Sequence, residues 1–190
     1  MFVNTLKMKN WASFYGQHTI DLTGGKKQNV TIIHGTTGIG KTSITSAFQW
    51  VISGETHEYT QVDTIRTRII RKMIMFDKPK KKGSLLNLEA FEEGKWDLSV
   101  SINFNHQNET FELTRRSRVH GNKFKSDEDV ETKLTLKQIT GFSKTWEMED
   151  AQKIINSMMP ERILKFFIVE GDFITKYTEV LFNSDNKAWS

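Results

Sequence analysis

The stretch Gly35-Thr-Thr-Gly-Ile-Gly-Lys41-Thr42 constrains the fold of this chain more than any other feature. It has the form G-x-x-x-x-G-K-[ST], a phosphate-binding loop that must sit between a strand and a helix. Gly35 closes the strand in a tight turn. Gly38 and Gly40 let backbone N–H groups converge on phosphate oxygens with no Cβ in the way. A helix opening at Lys41 aims its positive end at the same phosphates. Lys41 then reaches the β/γ-phosphates, and the Thr42 hydroxyl is a ligand for Mg²⁺. A chain of this composition would hold such a match by chance roughly once in a hundred cases. The flanks strengthen it. Asn29–His34 is a β-branched run suited to a buried strand. From Lys41 to Ile52, the residues Ile44, Ala47, Phe48, Val51 and Ile52 fall on one helical stripe, with Gly54 placed to stop the helix. The expected ligands of ATP are therefore Gly35, Thr36, Thr37, Gly38, Ile39, Gly40, Lys41, Thr42 and Ser43.

Around this motif the pattern is mixed α/β. Phe2, Asn4, Leu6 and Met8 alternate with Lys7 and Lys9, the period of a half-buried strand. Asn10–Gly16 reads as a turn, and His18–Leu22 as the returning strand of an antiparallel hairpin. Gly24-Gly25-Lys26-Lys27 is a second turn. Trp96, Leu98, Val100, Ile102 and Phe104 alternate, then Asn105–Asn108 turns, then Phe111, Leu113 and Arg115 alternate again. This is the strongest hairpin signal in the chain. A further strand is expected within Thr132–Ile139. Met148–Met159 predicts a helix with Ala151, Ile154, Ile155 and Met158 inward, ended by Pro160. Phe166–Val169 is a candidate buried strand running into Glu170-Gly171-Asp172.

Composition excludes several classes. With 13 Phe, 5 Trp and only 2 Pro the chain is not a disordered mix. Zero Cys excludes a disulfide scaffold. No run approaches the ~18 apolar residues of a membrane helix, and the first residues have no apolar leader core. The expectation is a soluble cytoplasmic protein. Net charge is only +4, but it is concentrated. Arg66, Arg68, Arg71, Lys72, Lys78, Lys80, Lys81 and Lys82 stand against Asp77 alone. Clustered cations of this kind fit either a solvated insertion or contact with a polyanion; no interleaved aromatics suggest base stacking, so duplex backbone contact is the sharper expectation. The histidines have no metal-ligand spacing.

Residues 1–34 precede the loop and read as antiparallel strands, a layout unlike a small-molecule kinase. The start Leu6-Lys-Met-Lys-Asn10-Trp11, then Tyr15-Gly16 and Thr19-Ile20-Asp21, then the loop with Ala47-Phe48-Gln49-Trp50 and Gly54, resembles the N-terminal half of SMC-like ABC ATPase heads. These include SbcC-type break-repair ATPases and DndD-type ATPases of DNA phosphorothioation systems. Met159–Ile174 is similar to the DndD-type segment of form F-F-F-D-G-E, with Glu170-Gly171-Asp172 in place of aspartate–glycine–glutamate. The resemblance covers roughly residues 1–54 and 147–176. It implies an α/β P-loop fold, the N-terminal lobe of an ABC/SMC-type head, with an antiparallel sheet before the P-loop and residues 55–145 as a basic insertion and β meander. It implies ATP and Mg²⁺ as cofactors, Lys41 and Glu170 as catalytic groups, and Glu170 with Thr42 at the metal. It also brings Lys9 and Asn10, at the end of the first strand, near the nucleotide.

No segment resembles the signature L-S-G-G or a Walker B strand ending in Asp-Glu. The resemblance therefore implies an N-terminal half. Its partners would be a C-terminal half reached across a coiled coil, a second copy of the head, double-stranded DNA at Arg66, Arg68, Arg71, Lys72, Lys80, Lys81 and Lys82, and effector or nuclease subunits. The activity implied is ATP hydrolysis by the completed head, with negligible turnover by residues 1–190 alone. The setting implied is defence against foreign DNA, with DNA repair as the rival within the class. A regulatory scaffold that holds an effector without touching DNA, or a stand-alone P-loop kinase, are the rivals from other classes.

Overall fold

The computed structural model of the 190-residue chain describes residues 2–24, 31–36, 38–54, 85–119, 130–141 and 143–160. Among these residues nine elements follow in order: β1 (Phe2–Trp11), β2 (Phe14–Asp21), α1 (Lys41–Ser53), α2 (Leu88–Glu92), β3 (Asp97–His106), β4 (Glu109–Val119), β5 (Val130–Gln138), β6 (Lys144–Glu147) and α3 (Met148–Met158). The strands form one antiparallel sheet in the order β2-β1-β3-β4-β5-β6. The basic stretch from Arg66 to Lys82, Thr37, the Lys26-Lys27 turn and the Phe166–Val169 segment with Glu170 and Asp172 lie outside the described residues.

Period-two alternation gives the sheet one dry face. Leu6 and Met8 of β1, Leu98, Val100, Ile102 and Phe104 of β3, Phe111 and Leu113 of β4, and Leu134 and Leu136 of β5 are all buried on it. Burying each such side chain contributes about 1.5–3 kcal/mol, so these rows dominate the core. α1 and α3 cover that face, α1 over β3 and β4 and α3 over β5. The other face is polar. Lys7, Ser101, Thr114 and Thr135 share one cross-strand row, and Lys9 and Arg116 both pair with Asp97 there.

Several expectations are corrected. Phe2 is 64% exposed instead of joining the inner row. The register shifts between Val3 and Thr5, and this bulge puts Val3 rather than Phe2 against the core. The turn expected over Asn10–Gly16 is shorter than that span: β1 runs on through Trp11, which is fully buried, and β2 begins at Phe14. On α1, Trp50 belongs to the core and Phe48 is only partly buried. On α3, Ala151 and Ile155 are buried while Ile154 and Met158 are partly so. The buried strand expected at Asn29–His34 is not formed where it is described: residues 31–36 have no regular structure, and Ile32 is 80% exposed. A central strand needs ladder partners on both sides, and among the described residues none pairs with this run. Two short elements carry too little periodicity to be read in advance. They are β6, four residues long, and α2, whose N-cap Asn87 accepts a hydrogen bond from Ala90 N.

Candidate nucleotide site

The helix α1 places the phosphate-loop residues. Its N-cap is Gly40 in the left-handed region, φ 100°, and Gly38 has φ 90°. A side chain at Gly40 would be strained and would also press on the Phe14 ring, 3.2 Å from an added Cβ. The first intrahelical bond runs from Ile44 N to Gly40 O at 3.1 Å. Among the described residues no side chain caps this end, and no acidic residue stands in the first turn. The helix therefore begins with uncompensated N–H groups and a positive dipole end.

Lys41 lies over this opening. Its Nζ donates to Gly35 O at 2.7 Å and to Thr36 O at 2.6 Å, so the ammonium is folded back onto the loop's own carbonyls. Thr42 is exposed, and its backbone carbonyl accepts from Ser46 Oγ at 2.8 Å. Ser43 is where the hairpin meets the helix. Its carbonyl accepts from Trp11 Nε1 at 2.7 Å, and its hydroxyl is 3.2 Å from Ser13 Oγ. Ile39 is 55% exposed at the loop. The β1–β2 reversal thus holds the first turn of α1 from one side.

Lys9 and Asn10, which the resemblance brings near the nucleotide, make contacts within the sheet and the β1–β2 hairpin. Asn10 is 2% exposed with φ 49°. Its Nδ2 donates to Asp97 O at 2.9 Å and its Oδ1 accepts from Gly16 N at 3.0 Å, so one end of the amide closes the hairpin and the other ties it to β3. Lys9 sits on the polar face of the sheet, away from α1, with Nζ 2.7 Å from Asp97 Oδ2.

The opposite end of α1 joins the expected stop at Gly54 to two residues, Arg115 and Gln152, that the sequence gives no role there. Gly54 is in the left-handed region at φ 80° and its N–H returns to Trp50 O at 2.8 Å. Ser53 Oγ donates to Gln49 O at 2.8 Å. Arg115 of β4 donates from Nε to Val51 O at 3.3 Å and from Nη2 to Ile52 O at 3.4 Å. Gln152 of α3 donates from Nε2 to Ile52 O at 2.9 Å. The carbonyls of Gln49, Trp50, Val51 and Ile52 are therefore all satisfied. Arg115 is only 7% exposed; burial lowers its pKa to about 10, and it stays a cation at neutral pH. The available signal was the inward register of Arg115 in the row Phe111, Leu113, Arg115, Ser117, a charge at a core position.

A sequence profile described as an AAA domain matches residues 5–185 of the chain. No curated protein matches it. The profile spans the β1–β2 hairpin, the phosphate-loop residues and α1, the sheet and α3, together with the basic stretch and the Glu170 segment.

Proposed function

We propose that this chain, which belongs to the AAA-domain family of P-loop ATPases, binds ATP across the N-terminal end of α1 and serves as one half of an SMC-like head that acts on DNA. One observation carries the nucleotide part: among the described residues, α1 starts on left-handed glycines with no side-chain cap, no acidic residue in its first turn and a lysine ammonium held by neutral carbonyls. That is the donor set a polyphosphate requires. When ATP arrives, Lys41 exchanges two carbonyl acceptors for charged phosphate oxygens, and charge-assisted bonds are roughly twice as strong as neutral ones. The Thr42 hydroxyl, at the exposed first turn, is the described residue suited to Mg²⁺; Glu170 would be the second, from outside the described residues. Mg²⁺ bound with ATP supplies neutralisation of charge on the β- and γ-phosphates.

Hydrolysis needs an oriented water and stabilisation on the far side of the γ-phosphate. This chain's sequence offers no Walker B carboxylates and no signature segment, so we assign both to a complementary half and an opposing head. The DNA role rests on the basic cluster. Reversing Arg66, Arg68, Arg71 and Lys72 to Glu should flatten the salt dependence of duplex binding; an unchanged salt slope returns that stretch to a solvated face. The nucleotide part is tested by calorimetric titration with Mg·ATP. Wild type should bind and Lys41→Ala should not; equal affinity in the two would overturn the assignment. The defence setting is the reading favoured by the DndD-like segment, and repair is its alternative.

A further inference from the structure

We propose that Arg115 and Gln152 form a bracket through which nucleotide binding at the N-terminal end of α1 restrains α3 at its C-terminal end. The inference rests on the reading that α1 takes phosphate. α1 has 13 residues and spans roughly 20 Å as a stiff rod, so a change at its start is delivered to its last turn.

What receives it there is specific. α1 has no basic residue of its own in the last turn. The cation that faces its negative end comes from β4 instead, and among the described residues no carboxylate pairs with Arg115. The buried guanidinium is compensated by the carbonyls of Val51 and Ile52 and by Gln152 Oε1, at 3.3, 3.4 and 2.8 Å. It also lies 5.9 Å from the Trp50 ring centroid. A shift of α1 away from Arg115 strips acceptors from a desolvated charge, which is far costlier than stretching a solvated contact. Gln152 shares that constraint. Its Oε1 accepts from Arg115 while its Nε2 donates to Ile52 O at 2.9 Å and to Asn156 Oδ1 at 2.8 Å. One amide thus touches the cation, the helix end it neutralises, and the next turn of α3. Gly54 completes the device: an added Cβ would lie 3.0 Å from Arg115 Nη1, so a side chain there would press on the guanidinium and shift it by a few tenths of an ångström.

The test is hydrogen exchange on the full chain with and without Mg·ATP. In wild type, exchange should slow at the loop and α1 and, by about fivefold or more, at residues 148–158, beyond any change in β3, which reports global stabilisation. Gln152→Leu removes both bracket bonds from a partly exposed position. It should keep nucleotide affinity within about threefold and keep the loop response, while the extra slowing in α3 disappears. Arg115→Lys, which keeps the charge and loses the fork, should reduce the α3 response in the same direction. A wild type whose loop responds but whose α3 does not would overturn the bracket, as would a full α3 response in Gln152→Leu. Absence of Mg·ATP binding, with loop amides unchanged, would instead overturn the nucleotide reading and take the bracket with it.

Discussion

The two ends of α1 are built on opposite plans. Both are marked by a glycine in the left-handed region, Gly40 at φ 100° and Gly54 at φ 80°. At Gly54 the helix closes on Trp50 O, and the neighbouring carbonyls are bonded by Ser53, Arg115 and Gln152. At Gly40 no side chain among the described residues caps the helix, and there the Lys41 ammonium holds loop carbonyls at 2.7 and 2.6 Å. A helix end left polar and open costs free energy unless water or a ligand serves it. A helix anchored at one end by a buried cation is a firm mount for binding at the other. The contrast separates stability from function along a single element: substitutions at the anchored end should cost folding, and those at the open end should cost affinity.

The largest effect expected is on binding. Lys41→Ala should weaken Mg·ATP by about 100-fold or more, the equivalent of roughly 3 kcal/mol for lost charge-assisted hydrogen bonds. Its denaturation midpoint should stay near wild type, because the bonds removed are exposed. A large loss of stability with affinity retained would reverse the assignment of the two ends. Arg115→Met is the counterpart. It keeps bulk in the core but leaves Val51 O without the donor described for it, and a buried unpaired carbonyl costs about 1–3 kcal/mol. Chemical denaturation should show a loss of about 2 kcal/mol, with nucleotide affinity within about threefold of wild type. Gly54→Ala should cost about 1–2 kcal/mol, part from φ 80° and part from the approach to Arg115 Nη1. In an Arg115→Met background the steric part should vanish, and a double-mutant cycle reads that coupling directly. Purely additive costs would mean that Gly54 is needed for its backbone angle alone.

Much of this arrangement is legible in the amino-acid order. The inward rows of β3 and β4, the start of α1 at Lys41 and its stop at Gly54 follow from alternation, helical spacing and glycine placement. What escapes is long-range. Nothing local says that Asn10 turns inward to hold Gly16 and Asp97, because a strand-end asparagine is equally at home in solvent. The bulge that exchanges Phe2 for Val3 is a matter of register with β3, not of β1 alone. The run Thr31–His34 has strong β propensity, yet propensity is realised only against a ladder partner, and these residues are exposed. Arg115 could be seen as a misfit in an apolar row, but its partners are 63 and 37 residues away. Only the folded sheet brings them together.

The smallest effect expected comes from a charged contact that touches neither end of α1, and it sharpens the contrast as a control. Glu131 lies on the polar face of the sheet. Its Oε2 accepts from Arg118 Nε and Nη2 at 3.0 and 2.9 Å, and its Oε1 is 3.1 Å from Lys133 Nζ. Hydrogen bonding from Lys133 first, then from Arg118, holds its pKa down at about 2, against an ordinary value of 4.5. A carboxylate depressed in the folded state binds its proton more weakly there than in the unfolded chain, so unfolding takes up protons as the pH falls. Its stabilisation is therefore complete above pH 4.5 and is lost progressively as the pH drops towards 2. The contact is partly exposed at the sheet surface, and surface pairs contribute little at neutral pH. Glu131→Gln should therefore change the denaturation midpoint at pH 7 less than Gly54→Ala does, and Mg·ATP affinity not at all. The difference between wild type and variant should shrink across that acid window. A difference that persists unchanged to pH 2 would show that Glu131 acts through packing rather than charge, and a change in nucleotide affinity would show that the polar face is not independent of the open end of α1.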